Sequence, residues 1–297
     1  MNLDLVYLGV SMGTFYALMA IGLAGIFGIL KVINFAHGEF FMLGAYAYSL
    51  VALNLGVPPI LAVLPAFAVG ALLGVLVERL LMRPLYAGQL IGEGGTLRDE
   101  YSIIITFALS LFLMNLAVQV FGSYPVQGPG FLAEERLTLG PITTSSHRLA
   151  ATGVGLVILL GAVGFLRFSI WGKMIQATAQ NRFGAAIAGI DTTKVNLGVF
   201  GLSGGLAATS GALLAPIYHA DPFVGALPAV KSFVIVVLGG MGSIPGAILG
   251  AYILSFLEQF GAVYISGVYQ DAYGFLLLIL VLLLRPQGLF GERAREV

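Results

Sequence analysis

A polytopic all-α membrane bundle is the fold class this sequence predicts, and three observations predict it. Hydrophobic residues fill 59% of the 297 positions and charged residues only 9%, against about 25% charged in soluble domains. Mean hydropathy is +0.99, which is more apolar surface than a soluble fold can bury. Charge-free runs recur at the length of roughly 20 residues that a helix needs to cross a hydrocarbon core. The 41 glycines suit close helix contact and broken helices in such a bundle.

In chain order, the first run is Leu5–Leu30. No basic segment precedes it, and it is too long for the apolar core of a cleavable leader, so it is expected to remain as a membrane helix. Phe40–Leu55 is shorter, with polar flanks that reach the interface. Pro59–Val77, Tyr101–Gly122, Leu149–Leu166, Val195–Ile217 and Ser232–Leu257 are full-length, and Ala272–Leu284 is again short. About eight spans are expected, in a single transmembrane domain over 1–297.

Lys and Arg orient the spans. Lys31–Glu39, Arg79–Glu100, Arg167–Lys194 and Arg285–Val297 hold one, three, four and three of the 14 basic residues, so all four are expected on the cytoplasmic side. Arg136 and Arg148 fall in an outer loop, offset by Glu134 and Glu135, and Lys231 is left over. Three crossings after Lys194 would leave the basic tail outside. A partial crossing in His219–Gly240 restores it. Pro222, Gly225, Pro228, Gly239 and Gly240 break helices there, so Asp221–Gly242 is expected to be a discontinuous element lining a cavity.

A weak internal repeat relates Leu43-Gly44-Ala45-Tyr46 to Leu249-Gly250-Ala251-Tyr252, as in a duplicated transport core. Zero net charge gives no reason to expect a nucleic-acid partner, and with no cysteine there is no thiolate chemistry.

Three segments carry candidate chemistry. Asn34, His37, Gly38 and Glu39 set an amide, an imidazole and a carboxylate between two apolar runs, where polar groups are costly. They suit a gate or helix junction, with Asn34 and His37 capping backbone N–H groups and Glu39 favoured at a helix start. A tight hairpin whose polar groups face water fits equally. Only two metal ligands are present and no nucleophile stands beside the His–Glu pair, so neither a metal site nor a catalytic site is expected. In the segment 172–194, Ala177, Asn181, Ala185 and Gly189 form a small-residue face on one short cytoplasmic helix, to which Ile190 adds apolar bulk. Such a face suits a partner's groove or the bilayer surface. The third segment holds Gly239, Gly240, Gly242, Ser243 and Pro245. It lacks the lysine of a phosphate loop and reads either as a helix break on a substrate path or as close packing. The charge-free cores of the spans argue for a path without buried charges, and against ion-coupled secondary transport or a channel.

Asn34-Phe35-Ala36-His37-Gly38-Glu39 followed by Leu43-Gly44-Ala45-Tyr46 resembles the N-terminal signature of branched-chain amino-acid ABC transporter permeases. Glu78-Arg79 with Arg83-Pro84-Leu85, the Ala177–Ile190 segment, Leu238–Ala247 and Arg285-Pro286-Gln287-Gly288-Leu289-Phe290-Gly291 continue the resemblance in order. The resemblance implies an importer subunit in the inner or plasma membrane of a bacterium or archaeon. It implies as partners a second homologous permease, two ABC ATPase subunits, an extracytoplasmic binding protein and an amino-acid substrate, with no cofactor and with ATP hydrolysed in the partners. It also implies that 172–194 is the ATPase coupling segment. Tyr86–Glu100 is longer and more glycine-rich than in the amino-acid members. Urea and short-amide permeases share a similar Asn-x-Ala-His-Gly-Glu, so a urea importer stands as the alternative.

Overall fold

A computed structural model describes residues 3–86, 98–132, 136–139 and 142–291. Helices follow in the order α1 (Leu3–Leu30), α2 (His37–Asn54), α3 (Pro59–Val77), α4 (Arg83–Tyr86) and α5 (Arg98–Phe121). A small ribbon comes next, β1 (Arg136–Leu139) antiparallel to β2 (Ile142–Ser145) with Arg136 opposite Ser145. Then come α6 (Ser146–Phe168), α7 (Ile170–Gln180), α8 (Arg182–Ile187), α9 (Thr192–Tyr218), α10 (Ala226–Gly239), α11 (Ile244–Gly261) and α12 (Gln270–Leu284). Most of the Tyr86–Glu100 insertion, Glu134 and Glu135, and the tail beyond 291 lie outside the described residues.

The bundle is helical and apolar, as the composition dictates. Six stretches among the described residues are long and apolar enough to cross a membrane, rather than eight separate ones. Two short runs account for the difference. Phe40–Leu55 sits in α2, whose 18 residues open with polar His37 and Glu39. Ala272–Leu284 belongs to α12, continuous with α11 in one 41-residue stretch. That stretch is too long for one crossing, and it bends at a π-helical turn, Ala262–Ser266, and a 3-10 turn, Gly267–Tyr269. Tyr273 pins the bend by donating to the Ser266 carbonyl at 2.8 Å and accepting from the Ser266 N–H at 3.1 Å. Gly274 of α12 then packs against Leu254, so α12 folds back along α11.

α1 and α9 form the centre: 83% of each apolar window is buried. The more apolar stretches of α3, α5 and α6 bury only a fifth to a third of theirs. Their exposed Leu72, Ile104, Phe112, Val157 and Leu160 suit lipid, which costs such side chains nothing. α11 runs antiparallel to α1: Phe256 packs against Gly9, Tyr252 against Gly13 and Gly242 against Gly28. Ser255 adds a hydrogen bond to the Gly9 carbonyl at 2.8 Å. Where α2 crosses α9, a Cβ on Gly44 would overlap the Ala208 backbone and one on Gly211 would overlap the Phe41 backbone. Glycine is therefore what allows the two helices to touch.

The expected discontinuous element is present as α10. At 14 residues and 1.5 Å per residue it is about 21 Å long, short of a roughly 30 Å core. Gly240 (φ 101°) and Gly242 (φ 90°) turn the chain into α11, with Ser243 capping the Gly246 N–H at 3.1 Å. The C-terminal strap docks on this turn, Leu289 and Phe290 donating to the Leu238 and Gly239 carbonyls at 2.9 and 3.0 Å. The strap thus lies at the Lys31 end of the bundle, where the charge count placed it.

Candidate functional site

The α10–α11 hairpin creates a feature that the sequence did not announce. Its turn folds α11 back along α10, and Lys231 and Glu258 meet across the two helices. Lys231 Nζ bonds Glu258 Oε2 at 2.9 Å, Asp271 Oδ1 of α12 at 2.8 Å and the Tyr16 hydroxyl of α1 at 2.9 Å. Tyr16 in turn donates to Glu258 Oε2 at 3.0 Å. The Lys231 side chain is 15% exposed, Glu258 1% and Asp271 53%. The expectation of a path without buried charges is therefore corrected. The charge-free run Ser232–Leu257 is bracketed by opposite charges, and a hairpin pairs the two ends of such a run. Lys231 was the clue, as the basic residue that the orientation rule left over.

Tyr16, Lys231 and Asp271 of this cluster form one wall of a central cavity of about 460 Å3, within the range of small-molecule sites. Tyr218, Asp221, Gln270 and Asp271 add polar groups, while Leu214, Phe223 and Leu227 supply apolar wall. Met19 and Phe41 complete it from α1 and α2.

Met19 and Phe41 connect the cavity to the Asn34–Glu39 junction. Lys31, at φ 57°, ends α1 and reverses the chain. The junction then climbs back into the bundle, and Asn34 and His37 are fully buried. His37 Nε2 lies 3.0 Å from the carbonyl of Met19, which is 11 residues before Leu30, or about 16 Å up the helix. A carbonyl can only accept, so Nε2 carries the proton. His37 thus ties α2 to α1 and does not cap a helix. Asn34 does not cap α2 either: its Oδ1 accepts from the N–H of Ala36, the residue before the helix, at 3.1 Å in a local turn. Glu39 Oε1 accepts from Ser110 of α5 at 2.6 Å, and Gly38 packs directly on Gly225 before α10. Phe35 rests against Phe107 and Phe233, with ring centroids 6.3 and 5.3 Å apart. This burial excludes a surface hairpin whose Asn34, His37 and Glu39 face water.

The glycine segment divides in two. Gly239 and Gly240 are buried, with Gly239 against Gly246 and Gly240 against Gly291 of the strap. Gly242 and Ser243 face two further cavities of about 610 and 490 Å3 at the Lys31 end, and Pro245 lines the second. Ala179 and Gln180 of α7 line both, so the structure brings the end of α7 and the α10–α11 turn to one place.

The segment 172–194 forms two helices, not one. Asn181 is extended (φ −151°) and its Oδ1 caps α8 through the Gly184 N–H at 2.8 Å. The four-residue spacing therefore does not make one face. Ala177 lies in the last turn of α7, Asn181 is a cap, Ala185 is buried, and Gly189 (φ 85°) follows the end of α8. Ile190 returns a hydrogen bond to the Ala185 carbonyl at 3.0 Å. Phe183 and Ile187 of α8 stand exposed. Asp191 caps α9, accepting from the Thr193 and Lys194 N–H groups at 3.1 and 3.2 Å. The Lys194 N–H is the main cause that holds its carboxyl below the usual range.

Known proteins resemble the chain over nearly its whole length. The family described as "Branched-chain amino acid transport system / permease component" matches residues 6–284. The high-affinity branched-chain amino acid transport system permease protein LivH of Salmonella typhimurium is 32% identical over 297 residues, 96% of this chain and 94% of that protein. Its counterpart BraD of Pseudomonas aeruginosa is 33% identical over 298 residues, with the same coverage. The ribose import permease protein RbsC of Escherichia coli is 26% identical, over 90% of this chain and 81% of that protein. No solved structure matches.

Proposed function

The chain belongs to the branched-chain amino acid transport permease family, and on that premise we propose that it is a permease subunit of an ATP-binding-cassette importer. It passes branched-chain or related amino acids, delivered by an extracytoplasmic binding protein, across the inner or plasma membrane. Its partners are a second homologous permease and two ATPase subunits that hydrolyse the ATP. The observation that carries this reading is the central cavity, where an ammonium and carboxylates face an apolar wall of Leu214, Phe223 and Leu227. A zwitterion with an aliphatic side chain needs those two kinds of surface.

In this reading α7 and α8 couple to the ATPases, and Ala179 and Gln180 pass their movement to the turn at Gly242–Ser243 as a rigid-body step. The junction at Asn34, His37, Gly38 and Glu39 keeps α1, α2, α5 and α10 in register as an inner gate. The buried Lys231–Glu258 pair specifically favours a second reading, because embedded ionisable groups also serve ion-coupled transport. Affinity purification from native membranes separates the two. Recovery of two ATPases and a second permease with the tagged chain supports the importer, and uptake by the chain alone under an ion gradient refutes it.

A further inference from the structure

An ammonium group has three N–H donors, and Lys231 uses all three, on Tyr16, Glu258 and Asp271. A carboxylate entering the cavity finds a donor on Lys231 only if one partner yields. The three partners are held very differently. Glu258 is buried and also receives the Tyr16 hydroxyl, and Tyr16 is locked inside the bundle. Asp271 is half-exposed, stands in the first turn of α12, and follows the π and 3-10 turns that interrupt the α11–α12 stretch. Asp271 is the partner that gives way.

We propose that an α-amino acid zwitterion inserts between Lys231 and Asp271 in the central cavity, its carboxylate on Lys231 and its ammonium on Asp271. The proposal rests on reading the chain as an amino-acid permease and supplies that reading with contacting residues. One ion pair becomes two, and the net charge of the site does not change. A carboxylic acid without the amine strips Asp271 of its partner. An amine without the carboxylate gives Lys231 nothing in exchange. The site therefore selects for both charges together, while Phe223 and Leu227 face the side chain. Lys231–Asp271 also ties α10 to α12, so the same insertion releases that tie.

The chain has no cysteine, so Leu227→Cys places one thiol in the cavity, and Phe223→Cys serves as an independent second reporter. The assembled transporter in vesicles is labelled with a maleimide. Leucine at about ten times its half-protecting concentration is expected to slow labelling about tenfold. Leucinamide and 4-methylpentanoate, each lacking one charge, are expected to protect far less. Adding Asp271→Asn is expected to abolish the advantage of leucine over 4-methylpentanoate. Equal protection by the three compounds, or protection unchanged by Asp271→Asn, overturns the proposal. ATP-driven leucine uptake in the same vesicles separates the two readings. Uptake without protection removes the site alone, and protection without uptake removes the transport assignment alone.

Discussion

At the scale of single residues, the Lys231–Glu258 pair dominates. Replacing Lys231 by Met leaves a buried carboxylate uncompensated, and breaking a buried pair in this way costs about 3–5 kcal/mol. Thermal unfolding in detergent is expected to show that loss. The double variant Lys231→Met/Glu258→Leu is expected to recover most of it, because no charge is then left buried. Asp191 supplies a pH dependence at the start of α9. Its folded pKa is depressed, so its capping contribution is present above the unfolded value near ~3.9 and is lost as pH falls through the lower folded value. Faster amide exchange at Thr193 and Lys194 is expected in Asp191→Ala at neutral pH, and in the unaltered chain only on strong acidification.

At the scale of elements, two contacts decide whether the bundle assembles and whether it couples. Leu in place of Gly44 or Gly211 drives a side chain into the backbone of the facing helix. The cost exceeds the ~1–3 kcal/mol of ordinary overpacking, since a backbone cannot rotate away. Such variants are expected to lose the folded bundle in size-exclusion chromatography, whereas Gly153→Leu, which meets open space, keeps it. Asn181→Ala removes the cap of α8, worth about 1 kcal/mol. It is expected to weaken stimulation of ATP hydrolysis by loaded binding protein while leaving thermal stability of the bundle nearly unchanged. A variant with full stimulation would separate α8 from coupling.

The elements also show what a linear reading can reach. Spans such as Leu5–Leu30 and Val195–Ile217 were legible because apolar runs of that length have one comfortable solution in lipid. The partial crossing was legible from charge parity and from helix breakers around α10. The two-helix form of 172–194 was not, because a four-residue spacing ignores that Asn181 is a better cap than face residue. Lys231, Glu258 and Asp271 were missed for a related reason. Hydropathy windows stop at charges, and only the hairpin shows that two stopping points are one site. The importance of Asn34–Glu39 was visible in its cost, but its depth was not, since burial here comes from a chain that re-enters the bundle beside Met19.

At the scale of the whole molecule, the structure arranges three regions in series. The central cavity lies beside the ion cluster, the buried junction meets it at Met19, and the cavities at the Lys31 end adjoin α7. That order suits a path in which charge-paired binding near the middle is relayed to movement at one end. The most direct test is uptake by vesicles containing the chain with the companion permease and two ATPases proposed for it, and labelled leucine on the proposed binding protein outside. Leucine accumulation is expected to need ATP on the ATPase side and to fall at least about tenfold in Asp271→Asn, a barrier change near 1.4 kcal/mol. Accumulation without ATP, or of urea but not leucine, would contradict that expectation.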